Sequence, residues 1–257
     1  MPSQKPFNGR RAALSLTYDD TLDCHLDLVA PALESRGFRG TFYTPVNDTL
    51  LRRMDQWSET SRRGHELGNH TLFHPCRSYG GATWIQPWRD LKTYDLARWE
   101  AEVDLANLVL NRIEGRSDRS YGNTCHNNFI GPDDAPLCLD AHMLPRFVAA
   151  RGTKRDVDES IDPRNLTPGN LGTLGGDGLS PDAMKQLVDM AVARGHWIIL
   201  TFHHVGPVER RLTIAETTHN ALLDHCASLH NDLWVAPVRD IIATCPGKLP
   251  PRSETPA

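Results

Sequence analysis

The sequence predicts an α/β fold: a (β/α) barrel or, failing that, an open doubly wound sheet. Three observations carry this expectation. Short apolar runs alternate with amphipathic helical stretches about seven times along the chain, the pattern that builds parallel sheets. The first run, Ala12 to Tyr18, ends on the adjacent carboxylates Asp19 and Asp20. Functional groups in such folds sit at the carboxyl ends of strands. Two later strands end on histidine pairs, and a parallel barrel would bring all three ends to one face.

The elements follow in order. Ala12 to Asp20 reads as a buried parallel strand, although one Asp could instead cap the next helix. Leu22, Leu26, Val29 and Leu33 recur at helical spacing, and Gly37 stops that helix near Arg36. Gly40 to Thr44 is a second strand, Leu50 to Arg63 a helix, and Gly64 to Gly68 a third strand leading to His70 and His74. Ser78 to Asp90 reads as a loop carrying Trp84 and Trp88. Thr93 to Glu114 is a long helix with Leu96, Trp99, Val103, Ala106, Leu110 and Ile113 on one face.

A short strand is expected at Ser120-Tyr121, a helix over Pro136 to Met143, and a strand at Phe147 to Ala150 with Arg151 at its exit. Thr153 to Leu179 reads as a long polar loop, of the kind that lines sites or moves. Ser180-Pro181 opens a helix that Gly195 closes. His196 to Phe202, the most apolar strand, ends on His203-His204. A helix near Ala215 to His230 and a strand at Leu233 to Ala236 complete the pattern. Residues 11–245 form one expected domain, and 246–257 an expected disordered tail.

Composition narrows the function. A net charge of −4 gives no reason to propose a nucleic-acid partner. No apolar run approaches the roughly 20 residues that cross a bilayer. The polar stretch from Met1 to Arg11 lacks a signal-peptide core, so a cytoplasmic location is expected if Met1 is the native start. Without a Cys-x-x-Cys pair a thiolate zinc site is not expected, and all six cysteines read as reduced thiols. No Gly-x-Gly-x-x-Gly or Walker-type loop points to a nucleotide.

The chemistry-bearing residues are Asp19-Asp20, His70-x-x-x-His74 and His203-His204. One helical turn would put His70 and His74 on the same side. Two neutral imidazoles and a carboxylate make a three-ligand metal site with a position left for water. On its own such a histidine pair is a weak signal. Thr71 also stands where a metalloprotease helix would carry Glu.

Together these motifs resemble the polysaccharide deacetylases, carbohydrate esterase family 4. Thr17-Tyr18-Asp19-Asp20 resembles the family's Thr-Phe-Asp-Asp motif, and His70-Thr71-Leu72-Phe73-His74 its His-Ser/Thr-x-x-His motif. Leu200-Thr201-Phe202-His203 is similar to its final Leu-x-His, one residue longer. The resemblance spans about Arg11 to Ile242.

It implies a distorted (β/α) barrel of seven or eight strands that removes N- or O-acetyl groups from a carbohydrate. It further implies that Asp20, His70 and His74 hold one divalent ion, zinc being the first expectation. Asp19 would be the general base and His203 the general acid, with His204 as the alternative. The implied partner is an acetylated sugar or a small amide, with no nucleic acid or membrane.

Two family motifs are not matched. Arg-x-x-Pro-Tyr has only Ser120-Tyr121-Gly122-Asn123-Thr124-Cys125 near its place, where the Cys125 N–H is the candidate oxyanion donor. Asp-x-x-Asp-Trp is missing, and Arg151 near its place could steer a carboxylate such as Asp19. Trp84 and Trp88 could stack on sugar rings or plug the barrel end. The competing enzyme reading is a small-molecule amidase or cyclic-imide hydrolase on the same fold. The competing reading outside catalysis is a sugar-binding protein that has lost activity.

Overall fold

In the computed structural model, which describes residues 6–154, 160–207 and 211–245, seven parallel strands close into a barrel. They are β1 (Ala12–Asp19), β2 (Thr41–Thr44), β3 (Glu66–Asn69), β4 (Tyr121–Gly122), β5 (Ala150–Lys154), β6 (Leu171–Gly175) and β7 (Trp197–Phe202). The ring closes where Ala13 to Tyr18 of β1 pair with Trp197 to Phe202 of β7. An eighth strand, β8 (Leu233–Val235), pairs with the first three residues of β1, before β2 takes over that edge at Thr17.

All eight residues of β1 are buried because both faces of the strand are covered. Strand alternation sends Leu14, Leu16 and Tyr18 outward under the helices. Ala13, Ser15, Thr17 and Asp19 point into the barrel, and the barrel interior changes character along its axis. Ala13, Leu171, Trp197 and Ile199 form an apolar floor, closed by Phe7, Val238 and Ile241. Hydroxyls follow: the Thr17 Oγ1 donates to the Leu200 carbonyl at 2.9 Å, and the Thr173 and Thr201 hydroxyls pair at 2.7 Å. Asp19 and Arg151 lie towards the mouth, and one further carboxylate, Glu66 at the start of β3, is buried lower down, accepting from the Thr41 hydroxyl and the Ser120 and Arg239 N–H groups.

The helices are α1 (Ala30–Glu34), α2 (Asp48–Arg52), α3 (Met54–Arg62), α4 (Leu96–Glu114), α5 (Asp140–Met143), α6 (Pro181–Arg194), α7 (Glu216–Ser228) and α8 (Val238–Ile242). Asp95 caps α4 through the Arg98 N–H, and Gly115 ends it in the left-handed conformation. Trp99 is buried on its inner face. The Ser180 side chain caps α6 and Gly195 closes it.

Several expectations are corrected. The helix expected from Leu22 begins as a wide π-type turn, His25–Val29, before α1. The helix expected over Leu50 to Arg63 is two helices, α2 and α3, broken at Arg53. Only Asp140–Met143 of the expected Pro136 to Met143 helix is helical; Leu137–Cys138 instead pairs antiparallel with Phe129–Ile130. β5 begins at Ala150, so Arg151 lies inside the strand rather than at its exit. The stretch read as a loop from Thr153 to Leu179 contains β6, where Gly172 and Gly175 hide the strand pattern. Cys76 and Cys125 form a disulfide, their Cα atoms 5.7 Å apart, so the cysteines are not all reduced thiols. The expected tail, 246–257, lies outside the described residues.

Candidate active site

The barrel mouth opens into a cleft of about 750 Å³. Asp19 and Asp20 end β1, His74 follows β3, Cys125 and His126 follow β4, Asp177 follows β6 and His203 follows β7; all of them line the cleft.

Asp19 is held from below. The Arg151 guanidinium donates to both of its oxygens, Nη1 to Oδ1 at 2.6 Å and Nη2 to Oδ2 at 2.7 Å. Both side chains are buried, and Arg151 also donates to the Thr17 and Thr201 hydroxyls. Its guanidinium carbon lies 4.4 Å from the centre of the Tyr43 ring. That ring occupies the barrel because Gly68 and Gly122 leave room; a Cβ on either would fall within 3 Å of it. Burial alone would raise the Asp19 pKa, but Arg151 holds it far below the usual carboxylate range.

His70 and His74 meet through a turn rather than a helix. The Asn69 Oδ1 accepts the Thr71 N–H, and the Thr71 hydroxyl accepts the His74 N–H. Thr71 and His74 take positive φ values of 65° and 52°. The two imidazoles come to lie 4.9 Å apart, edge to face. The disulfide joins the loops after β3 and β4 beside them, with the Cys76 sulfur 3.7 Å from the His74 Nδ1.

His70 carries the clearest electrostatic signal. Its Nδ1 lies 2.7 Å from the Gly122 carbonyl, which can only accept, so Nδ1 bears the hydrogen. Burial holds its pKa down at about 4, so the ring is neutral at pH 7. Nε2 therefore presents a bare lone pair, buried and without a hydrogen-bond partner. It faces Asp19 Oδ2 at 3.7 Å and Asp20 Oδ1 at 3.9 Å. A lone pair set against two carboxylates is unfavourable unless a cation lies among them. Asp20 Oδ1 is 3.1 Å from the His74 Nε2. Burial works to raise the Asp20 pKa, yet His74 and His70 bring it down to about 2. One donor atom each from Asp20, His70 and His74 lies within 4.8 Å of the others. Their mixture of nitrogen and oxygen donors suits a divalent ion.

His203 shares the parity of Trp197, Ile199 and Thr201 and so faces inward. Asp177 grips it twice: Oδ2 lies 2.7 Å from the ring Nδ1, and Oδ1 accepts its backbone N–H at 3.2 Å. The buried His25 Nε2 lies 2.8 Å from its carbonyl, fixing the same residue from behind. Burial pushes the His203 pKa down, but Asp177, Asp19 and Asp20 outweigh burial and raise it above the ordinary value. His204 does not line the cleft; it begins the short Thr213–Ile214 pairing outside the barrel.

Of the other expected site residues, Cys125 and Trp84 line the cleft and Arg151 lies beneath it under Asp19. Trp88 stands outside, edge-on to Phe73, which does line it. Both tryptophans are about half exposed and neither plugs the barrel. Asp20, His74, Cys125, His126 and Leu212 all line the cleft with positive φ. For residues with a Cβ this costs roughly 1–3 kcal/mol each and concentrates at functional sites. Sequence reasoning missed Asp177, His126, Arg89 and Arg211. Only Gly175-Gly176-Asp177-Gly178, a turn directly after an unrecognised strand, offered a signal for the first.

Fold and mouth together define a closed parallel (β/α) barrel with an Asp/His cluster at the carboxyl ends of its strands. Residues 8–122 match the family described as Polysaccharide deacetylase. A Mycobacterium smegmatis protein assigned to the polysaccharide deacetylases has a similar fold (TM-score 0.60, 18% identity, 97% of this chain and 95% of that one). Bacillus subtilis PdaA, a family 4 carbohydrate esterase, also does (TM-score 0.53, 15%, 94% and 85%). So does a family 4 pseudoenzyme from Bacillus anthracis (TM-score 0.54, 13%, 91% and 66%), so the fold alone does not guarantee turnover. In sequence, a gellan lyase from a Bacillus species is 26% identical over 106 residues, 41% of this chain but 4% of that enzyme.

Proposed function

We propose that this protein hydrolyses acetyl groups from an acetylated carbohydrate at the Asp/His mouth. The observation that carries this reading is the partnerless His70 Nε2, set between Asp19 and Asp20 with His74 beside them. Asp20, His70 and His74 would hold one divalent ion, zinc by the chemistry of the donor set. When bound, such an ion polarises an acyl carbonyl and lowers the pKa of water towards about 7.

The protein's own groups divide the proton work. Asp19 takes the proton from the attacking water, kept ionised and aimed by Arg151. The Cys125 N–H, on the cleft wall, is the donor assigned to the developing oxyanion. His203, held by Asp177, protonates the departing amine or alkoxide. Amide cleavage needs that proton more than ester cleavage does. Trp84, Phe73 and Tyr79 on one side of the cleft supply apolar faces for sugar rings.

The test is acetate release from N-acetylchitooligosaccharides, peptidoglycan fragments and acetylxylan, with cyclic imides run in parallel. Acetate from any of the glycans supports the reading. Turnover of imides alone moves the protein to the small-amidase class, and glycan binding without turnover moves it to an inactive binder.

A further inference from the structure

His74 stands between two sets of donor atoms. Its Nε2 lies 3.1 Å from the Asp20 Oδ1. Its Nδ1 lies 3.7 Å from the Cys76 sulfur. A ring nitrogen of His74 and the sulfurs of Cys76 and Cys125 all lie within 4.8 Å of one another. The fold holds both cysteines by more than their disulfide. The Cys76 N–H donates to the Arg89 carbonyl at 3.2 Å, and the Cys76 carbonyl accepts the Leu91 N–H at 3.0 Å. Across the bridge, the Thr124 hydroxyl donates to the Pro75 carbonyl and ties the two loops a second time. The Asn127 N–H closes the turn around Cys125 onto the Thr124 carbonyl at 3.0 Å. Opening the bridge therefore leaves the two sulfurs as neighbours. Cys76 is buried, whereas Cys125 is exposed and lines the cleft, where a reductant can reach it.

We infer that the Cys76–Cys125 bridge is the closed form of a second metal site, in which the reduced cysteines and the His74 Nδ1 take one soft divalent cation. Two thiolates and an imidazole suit zinc or cadmium and leave a fourth position for water. The opening step is thiol–disulfide exchange with a dithiol. The dithiol attacks the Cys125 sulfur, the Cys76–Cys125 bond breaks, and the mixed disulfide closes to the cyclic disulfide of the reductant. Two electrons and two protons pass to the protein, which gains two thiols. The cation then displaces the two thiol protons. Binding through Nδ1 leaves the imidazole hydrogen on Nε2, which donates to the Asp20 Oδ1 instead of lending it a lone pair for a shared cation. Filling the thiolate site therefore withdraws His74 from the set it forms with Asp20 and His70. Only that last consequence rests on the proposed function; the site itself does not.

The test uses the full chain, reduced with dithiothreitol, desalted without air and titrated with cadmium chloride. The readout is the ultraviolet charge-transfer band of a cadmium–thiolate bond. Reduced wild type should develop a band that the oxidised protein lacks, although both carry Cys24, Cys138, Cys226 and Cys245 as free thiols. Cys76→Ser/Cys125→Ser should show no such band after the same treatment. His74→Ala should bind cadmium about tenfold or more weakly at this site. Asp20→Asn should retain the band, because Asp20 belongs only to the other set. Equal bands before and after reduction, a band that survives in the double serine variant, or unchanged cadmium affinity in His74→Ala overturns the inference. Loss of the near-ultraviolet circular dichroism on reduction also overturns it, because the site is then not held by the fold. Acetate release by the oxidised protein with no cadmium band in the reduced one leaves the proposed function standing and removes this inference. The band without acetate release does the reverse.

Discussion

Asp177 fixes His203 at two points, accepting the backbone N–H with one oxygen and meeting the ring Nδ1 at 2.7 Å with the other. This directs Nε2 towards the cleft and favours the protonated ring. An acid placed this way keeps its proton to higher pH than a free imidazole. Activity on amides should therefore decline only as pH rises through a raised His203 pKa. In Asp177→Asn the alkaline limb of the kcat/KM profile should move to lower pH, while the limb of an activated acetate ester moves little. Identical profiles for the variant and the wild type would remove Asp177 from this role.

The proposed metal ligands can be tested without turnover. His74→Ala should lose most bound metal after dialysis against a weak chelator, as measured by elemental analysis. Full retention would exclude His74 from the ligand set.

Asp19 and Asp20 are adjacent but differently placed, one clamped by Arg151 and the other beside His74. Asp19→Asn should keep its metal and lose about two to four orders of magnitude in kcat, the range for general acid–base groups. A metal-free Asp19→Asn protein would reverse the two assignments.

The Arg151–Asp19 pair also bears on stability. Removing one partner of a buried pair strands the other charge, typically at a cost of about 3–5 kcal/mol. Arg151→Met should show a loss of that order in urea unfolding at pH 7, and Arg151→Met/Asp19→Asn should recover part of it. The sign with pH follows from the depressed Asp19 pKa. Its contribution is present above the unfolded carboxylate pKa of about 3.9 and is lost as pH falls below it. The difference between wild type and Arg151→Met should therefore narrow in acid. A constant gap from pH 7 to pH 3 would contradict the electrostatic account.

Much of the barrel could be read because each long strand is apolar and most helices carry a start or stop signal. Ser180 caps, and Gly115 and Gly195 end, as their positions in the sequence suggest, whereas α4 starts at Leu96 behind an Asp95 cap, later than the expected Thr93. What escaped the sequence depended on contacts between distant residues. β6 is Leu-Gly-Thr-Leu-Gly, too rich in glycine to look like a strand, and Asp177 was hidden with it. Gly176 is required there because a Cβ would fall 2.0 Å from the Phe202 ring, a contact across two strands. The joining of Cys76 to Cys125, 49 residues apart, is set by two loops meeting at the mouth and not by spacing. The pairing of His70 with His74 was legible, but its cause was not: the Asn69–Thr71 turn, rather than a helical repeat, brings them together. Arg151 stood out only as a charge near a strand end, and its grip on Asp19 appears once β1 and β5 face each other across the barrel.

The most direct test of the whole account is acetate release from an N-acetylated oligosaccharide by one preparation, first stripped of metal with a chelator and then titrated with zinc. The account predicts negligible release from the stripped protein and recovery that saturates at one equivalent of zinc. Undiminished release from metal-free protein would contradict it, as would no release at any zinc level from any acetylated glycan.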